Sequence, residues 1–174
     1  MIFVAMGANL PHPEYGPPVE TLSAALAALD EYGVSVVRRS RWYRTAPVPL
    51  SDQPWFVNGV AEVATDLSAE DLLATLHRVE ARFGRVRHRR LEPRIVDLDL
   101  ISFNDLVRPA AGSDEGLVLP HPRMHQRAFV LLPLAELAPD WRHPRLDIGI
   151  DAMIARLDPT QMAELLPEKG SQAS

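Results

Sequence analysis

The stretch Pro93–Ser102, PRIVDLDLIS, sets two aspartates one residue apart inside a run that is otherwise almost wholly aliphatic. Read as a strand, it turns Asp97 and Asp99 to one face and Val96, Leu98 and Leu100 to the other, because successive side chains alternate. Two like charges about 7 Å apart along a strand repel unless something positive lies between them, and a hard divalent cation with oxygen ligands meets that need. The plain alternative is an edge strand with a solvated acidic face.

What precedes this strand decides the fold. Residues 2–8 read as a buried strand, and PPVETLSAALAALDEYG as a helix, with prolines at its start, Val19, Leu22, Leu26 and Leu29 at helical spacing, and Gly33 as its stop. VSVVRRSRWYRT and WFVNGVAEVAT are rich in β-branched and aromatic residues and read as two strands around the proline-rich loop APVPLSDQP. SAEDLLATLHRVEARFG reads as a second helix, with Ser68 and Asp71 as a capping pair and Leu72, Leu76, Val79 and Phe83 on one stripe. With the aspartate strand last, the order is strand, helix, strand, strand, helix, strand, the split βαβ pattern of an α+β, ferredoxin-like sandwich with an antiparallel sheet. Beyond it, GLVLPHPRMHQRAFVLLPLAEL predicts a loop and an apolar helical stretch interrupted at Pro133, and DIGIDAMIARL a small closing helix. We expect one domain over residues 1–158 and a flexible tail over 159–174.

The chain has 174 residues, 47% hydrophobic and 24% charged, an ordinary balance for a soluble globular protein. Its net charge of −5 argues against a nucleic-acid binder working by general basicity. The apolar opening MIFVAMGANL lacks a basic start and is too short to span a membrane, and the absence of cysteine fits a reducing compartment, so a cytoplasmic protein is predicted. A monomer is expected. The only lysine is Lys169, leaving 17 arginines, so no lysine in the body of the chain serves a Walker-type loop or a Schiff base. Phosphates, if bound, are met by arginine and metal. GRVRHRRLEPR holds Arg85, Arg87, Arg89, Arg90 and Arg94, against the roughly one arginine that composition would place there. A guanidinium cluster beside paired carboxylates suits a polyphosphate, although a solvated arginine run is the simpler account. We expect Arg85 to Arg90 to form a lid that orders over bound nucleotide. His121 lies between prolines in LPHPRMHQRAF with Arg127 beyond it, and helical spacing sets His77 beside Glu80.

MGANL, WYRTAPV, DQPWFVNGV, VEARFGRVR, PRIVDLDLI and LPHPRMHQRAFVLLPL together resemble the 6-hydroxymethyl-7,8-dihydropterin pyrophosphokinases of folate biosynthesis, in the correct order from residue 2 to about 140. The resemblance implies an ATP-dependent transferase that moves pyrophosphate onto the hydroxymethyl group of the pterin and releases AMP. It implies Asp97 and Asp99 as ligands of two Mg²⁺ ions, and catalytic roles for Arg85, Arg94 and Asp97. ATP would be bound by His77, Glu80, Arg85, Arg87, Arg94, His121 and Arg127, and the pterin by Phe56, Phe129 and Asn58 with the backbone of Thr45, Ala46 and Val48. A flat heteroaromatic suits an aromatic sandwich and an amide matches its donor and acceptor edge, while core packing is the alternative for both phenylalanines. The sequence departs from the family pattern at Leu91 and Glu92, where a tryptophan often stands, at Ala8, at Phe56, which lacks a tyrosine hydroxyl, and at Gly116 and Val118. Those departures bear on lid closure and nucleotide affinity. A pterin- or nucleotide-binding relative without turnover, and a two-metal phosphohydrolase, are the alternatives. Small-molecule substrates are expected, with no nucleic acid and no membrane partner.

Overall fold

The computed structural model describes residues 1–47, 49–84, 95–109 and 116–167. Its main sheet is built on β1 (Ile2–Ala8), flanked antiparallel by β4 (Phe56–Thr65) on one side and β5 (Asp97–Phe103) on the other. β2 (Val34–Arg39) and β3 (Tyr43–Thr45) pair in succession along the outer edge of β4, completing the ferredoxin-like order β5-β1-β4-β2. Helices α1 (Pro18–Leu29) and α2 (Ala69–Arg82) make the crossovers.

β1 is apolar throughout because both of its faces are buried. Val4 and Met6 join Ala61 and Val63 of β4 and Leu98 and Leu100 of β5 against α1 and α2. Phe3 and Ala5 join Val60 and Ile101 on the opposite face, under α3 (Ala128–Leu137) and α4 (Ile150–Ala155). The local signals hold: Ser68 Oγ accepts from the Asp71 amide at 3.1 Å, and Gly33 ends the first helical segment at φ 79°.

Three expectations change. The predicted strand over 34–45 breaks at Ser40, whose amide donates to Val60 O at 2.8 Å while its Oγ accepts from Val60 N at 3.0 Å. One side chain thus stands in for a ladder bond and lets β3 leave the line of β2. Helix α3 runs through Pro133 instead of stopping, since burial of Leu131, Leu134 and Leu137 outweighs one missing amide donor. Part of the expected tail is ordered: β8 (Ala163–Leu165) pairs antiparallel with β3, and a small ribbon of β6 (Arg142–His143) and β7 (Ile148–Gly149) precedes α4. The C-terminal half of α3 is held over β3 by Glu136, which accepts from the Arg41 amide at 2.8 Å and from the Tyr43 hydroxyl at 2.7 Å. Burial, and then this carboxylate, push the Tyr43 phenol up to about 12, whereas the bonds from Arg41 and Tyr43 hold Glu136 below its usual range in spite of burial. Among the described residues no helix is long and apolar enough to cross a membrane.

Candidate active site

The sheet face beneath α3 carries the chemistry. Tyr43 pairs with Asn58, Asn58 with Gly7, and Gly7 with Asp97, so these four residues form one row across β3, β4, β1 and β5. In the next row, Val60 pairs with Ala5 and Ala5 with Asp99. Neighbouring positions in such a row lie about 5 Å apart, which puts the backbones at Asn58 and Asp97 roughly 10 Å apart with only glycine between them. Alternation along β5 sends both aspartates to this face while Leu98 and Leu100 enter the core opposite, as the sequence pattern predicts.

A cavity of about 500 Å³ stands on this floor. Gly7 and Ala5 form its base, Asp97 and Asp99 one end, and Thr45, Asn58 and Phe56 the other. The loop after β3 supplies Ala46, Pro47 and Gln53 to one wall, and the entry to α3 supplies Gln126, Arg127 and Phe129 to the facing wall. An apolar hollow with a few convergent polar groups is the usual form of a small-molecule site.

Asn58 is buried, and its Nδ2 donates to the buried Thr45 Oγ1. Its Oδ1 lies 2.7 Å from where a Cβ on Gly7 would be, so glycine is the residue that lets the amide lie down against β1. The loop is braced by Asn9, whose Nδ2 donates to Gln53 Oε1 at 3.2 Å and to Pro54 O at 3.0 Å. His121 follows β5 in space through its amide bond to Ile101 O at 2.8 Å, and its Nδ1 accepts from the Arg123 amide at 3.2 Å. Burial, then Arg127 and Arg123, push this imidazole down to about 4 against an opposing pull from Asp97. It is therefore neutral at pH 7, with Nδ1 as the accepting nitrogen. Arg127 is extended at φ −119° and ψ 114°, with its guanidinium 5.3 Å from the centre of the Phe129 ring.

A cavity with an amide at one end, carboxylates at the other and aromatics on its walls is what the sequence motifs describe, and residues 3–139 match the family described as 7,8-dihydro-6-hydroxymethylpterin-pyrophosphokinase. The chain belongs to this family. It is 40% identical over 162 residues to the 2-amino-4-hydroxy-6-hydroxymethyldihydropteridine pyrophosphokinase of Methylorubrum extorquens, covering 91% of this chain and 94% of that protein. It is 39% identical over 165 residues to the Synechocystis protein of the same name, covering 94% and 80% respectively. Among solved structures, the Plasmodium falciparum HPPK-DHPS superposes with a TM-score of 0.68 at 14% identity over 89% of this chain. This chain spans 45% of that longer one, so the likeness concerns the fold of the shared part.

Set within this pyrophosphokinase fold, the residues picked out from sequence divide into three groups. Thr45, Ala46, Phe56, Asn58, Asp97, Asp99, Arg127 and Phe129 all line the one cavity. His121 is not among the residues that line it, although Arg127 and Asp97 both act electrostatically on its ring. His77 and Glu80 do not line it: His77 is exposed on α2, and Glu80 is buried on the α2 side of the sheet, where its Oε2 accepts from Leu98 N at 2.9 Å. That bond grips β5 at the peptide between the two aspartates. Ala46 has no N–H to offer a ligand, since it donates to Met162 O at 3.1 Å. Val48, Arg85, Arg87 and Arg94, and with them the expected lid, lie outside the described residues. Sequence reasoning missed Gly7, Gln53, Arg123 and Gln126 as lining residues. Only Gly7, at the end of an apolar strand, left a local signal.

Proposed function

We propose that this cavity is where the chain transfers pyrophosphate from ATP to 6-hydroxymethyl-7,8-dihydropterin, giving AMP and the pterin pyrophosphate for folate biosynthesis. The observation that carries it is the cross-strand row, in which a pinned, buried amide and a carboxylate face one hollow across a glycine. The pterin lies at the Asn58 end between Phe56 and Phe129, with the amide pairing to its edge. That orientation directs the hydroxymethyl group along the floor toward Asp97 and Asp99.

Two carboxylates on one strand fit Mg²⁺, which takes one or two protein carboxylates and completes its shell with water and phosphate oxygens. Among the described residues no cluster of three or more acidic, histidine or cysteine ligands exists. Asp97 and Asp99 would hold two such ions, which when bound neutralise charge on the phosphates. The chain's own part is to hold donor and acceptor in line. The hydroxymethyl oxygen loses its proton to the medium and bonds to the β-phosphorus as the bond from that phosphorus to the α-bridging oxygen breaks, and AMP departs. Arg127 and the neutral His121 contact the nucleotide from the α3 side, and Arg85, Arg87 and Arg94 from the segment before β5. Asp97, Arg85 and Arg94 are the residues to which we assign catalytic roles. Glu80 acts on the nucleotide site from the far side of the sheet, through the Leu98 amide that it holds between the two aspartates, and His77 is assigned to the nucleotide from its exposed place on α2. A single domain that reaches past residue 158 through the pairing of β8 with β3, acting as a cytoplasmic monomer on small molecules alone, completes the proposal.

Incubation with Mg-ATP should release AMP only when the reduced pterin is present. Nucleotide hydrolysis without pterin would point to a phosphohydrolase instead, and binding of both ligands without AMP to a non-catalytic relative.

A further inference from the structure

We infer that Gln161, outside the segment that matches the family, is a positioning residue that sets the spacing between the two walls of the pterin end of the cavity; this rests on the pocket proposed above. Gln161 Oε1 accepts from the Ala128 amide at 2.9 Å, and its Nε2 donates to Gln126 O at 2.8 Å. One side chain thereby brackets Arg127. Arg127 is the N-cap position of α3 and makes no side-chain cap of its own, so the first helical amide, buried Ala128 N–H, is satisfied by Gln161 from across the chain. Arg127 and Phe129 flank that amide on either side, and both face the cavity.

The next residue holds the opposite wall. Met162 O accepts from Ala46 N at 3.1 Å, and Ala163–Leu165 then pair with Thr45, Arg44 and Tyr43. Consecutive residues thus grip the α3 wall and the β3 wall, and adjacent Cα atoms are held about 3.8 Å apart by covalent geometry. The gap between Phe129 and the Thr45–Ala46 edge is in this way tied to a covalent spacing, and the carboxylate end, on β5, is untouched by it. Loss of the Gln161 bonds should therefore loosen pterin binding and leave the chemical step alone.

Gln161→Ala and the near-isosteric, neutral Gln161→Met should each raise the pterin KM at saturating Mg-ATP by about tenfold, the scale of one or two lost neutral hydrogen bonds, with kcat within about twofold of wild type. Gln161→Glu keeps an acceptor for Ala128 N–H while losing the donor to Gln126 O, so its KM should fall between wild type and Gln161→Ala. A lowered melting temperature with unchanged KM, measured well below melting, would make Gln161 merely structural and overturn the inference. So would a kcat loss without a KM change, or a glutamate variant as impaired as alanine. If Gln161→Ala does not fold, the methionine and glutamate variants decide on the same criteria. Asn58→Ala is assayed in parallel: a raised pterin KM there with none at Gln161 overturns this inference alone, and an unchanged KM there overturns the pocket together with it.

Discussion

Replacing Gly7 with alanine probes the floor of the cavity through the one amide that lies against it. Gly7 lies within β1 and does not adopt the left-handed conformation, so its backbone accepts alanine and the effect is steric. The new Cβ would lie 2.7 Å from Asn58 Oδ1, and Asn58 must retreat by about 0.7 Å to reach an ordinary 3.4 Å contact. Asn58 has little room to do so, being buried and bonded to Thr45 Oγ1. The retreat breaks either that bond or the amide's alignment with the pterin edge. A buried polar group left unpaired costs about 1–3 kcal/mol, so the pterin Kd should rise by roughly 5- to 150-fold. Affinity for a non-hydrolysable ATP analogue with Mg²⁺ should stay within about twofold, because the atoms crowding the new Cβ belong to β4 and both carboxylates stand on β5, on the other side of β1. Titration calorimetry of each ligand against the folded variant reads both numbers. The double variant Gly7→Ala/Asn58→Ala should bind pterin little worse than Asn58→Ala alone, since both changes act through one amide. A pterin Kd within about twofold of wild type in Gly7→Ala would refute the role given to the Asn58 amide.

Asp97→Asn or Asp99→Asn should lower turnover by well over tenfold at saturating Mg²⁺ with the far-ultraviolet circular dichroism unchanged; a variant retaining more than about a tenth of activity, a barrier change under roughly 1.4 kcal/mol, would remove that aspartate from the metal site. Ser40→Ala strips the acceptor from buried Val60 N–H and should cost about 1–3 kcal/mol in urea unfolding while the folded protein keeps its pterin KM. His143 is buried, with Nδ1 accepting from the Arg145 and Leu146 amides, and burial, then His125 and Arg145, push it down to about 4. Between pH 6.5 and about 4 the unfolded chain takes up a proton that the folded one refuses, so stability should fall as pH falls through that window. His143→Asn, which keeps an acceptor near Nδ1, should make the drop in melting temperature from pH 7 to pH 5 smaller; an unchanged drop would assign it to other groups.

What the sequence determined by itself is what depends on neighbours a few residues away. The alternation of PRIVDLDLIS decides that Asp97 and Asp99 share a face, the 3.6-residue stripes of α1 and α2 decide which sides they bury, and Ser68 and Gly33 mark their ends, because backbone geometry and capping act within a turn or two. The apolar runs and their order then leave the ferredoxin-like arrangement as the way to bury both faces of β1. Only the tertiary structure decided where hydrogen bonds close over long separations. The register that aligns Asn58, Gly7 and Asp97 is set by pairing among three strands, and no property of any one of them announces it. Glu80, at helical spacing from His77, turns inward to the Leu98 amide because β5 leaves that N–H unpaired by β1, and the edge of a sheet exists only once the sheet is assembled. Gln161 stands in a polar stretch that reads locally as tail, yet the α3 amide it satisfies lies 33 positions away and comes within reach only after the helix has packed on the sheet.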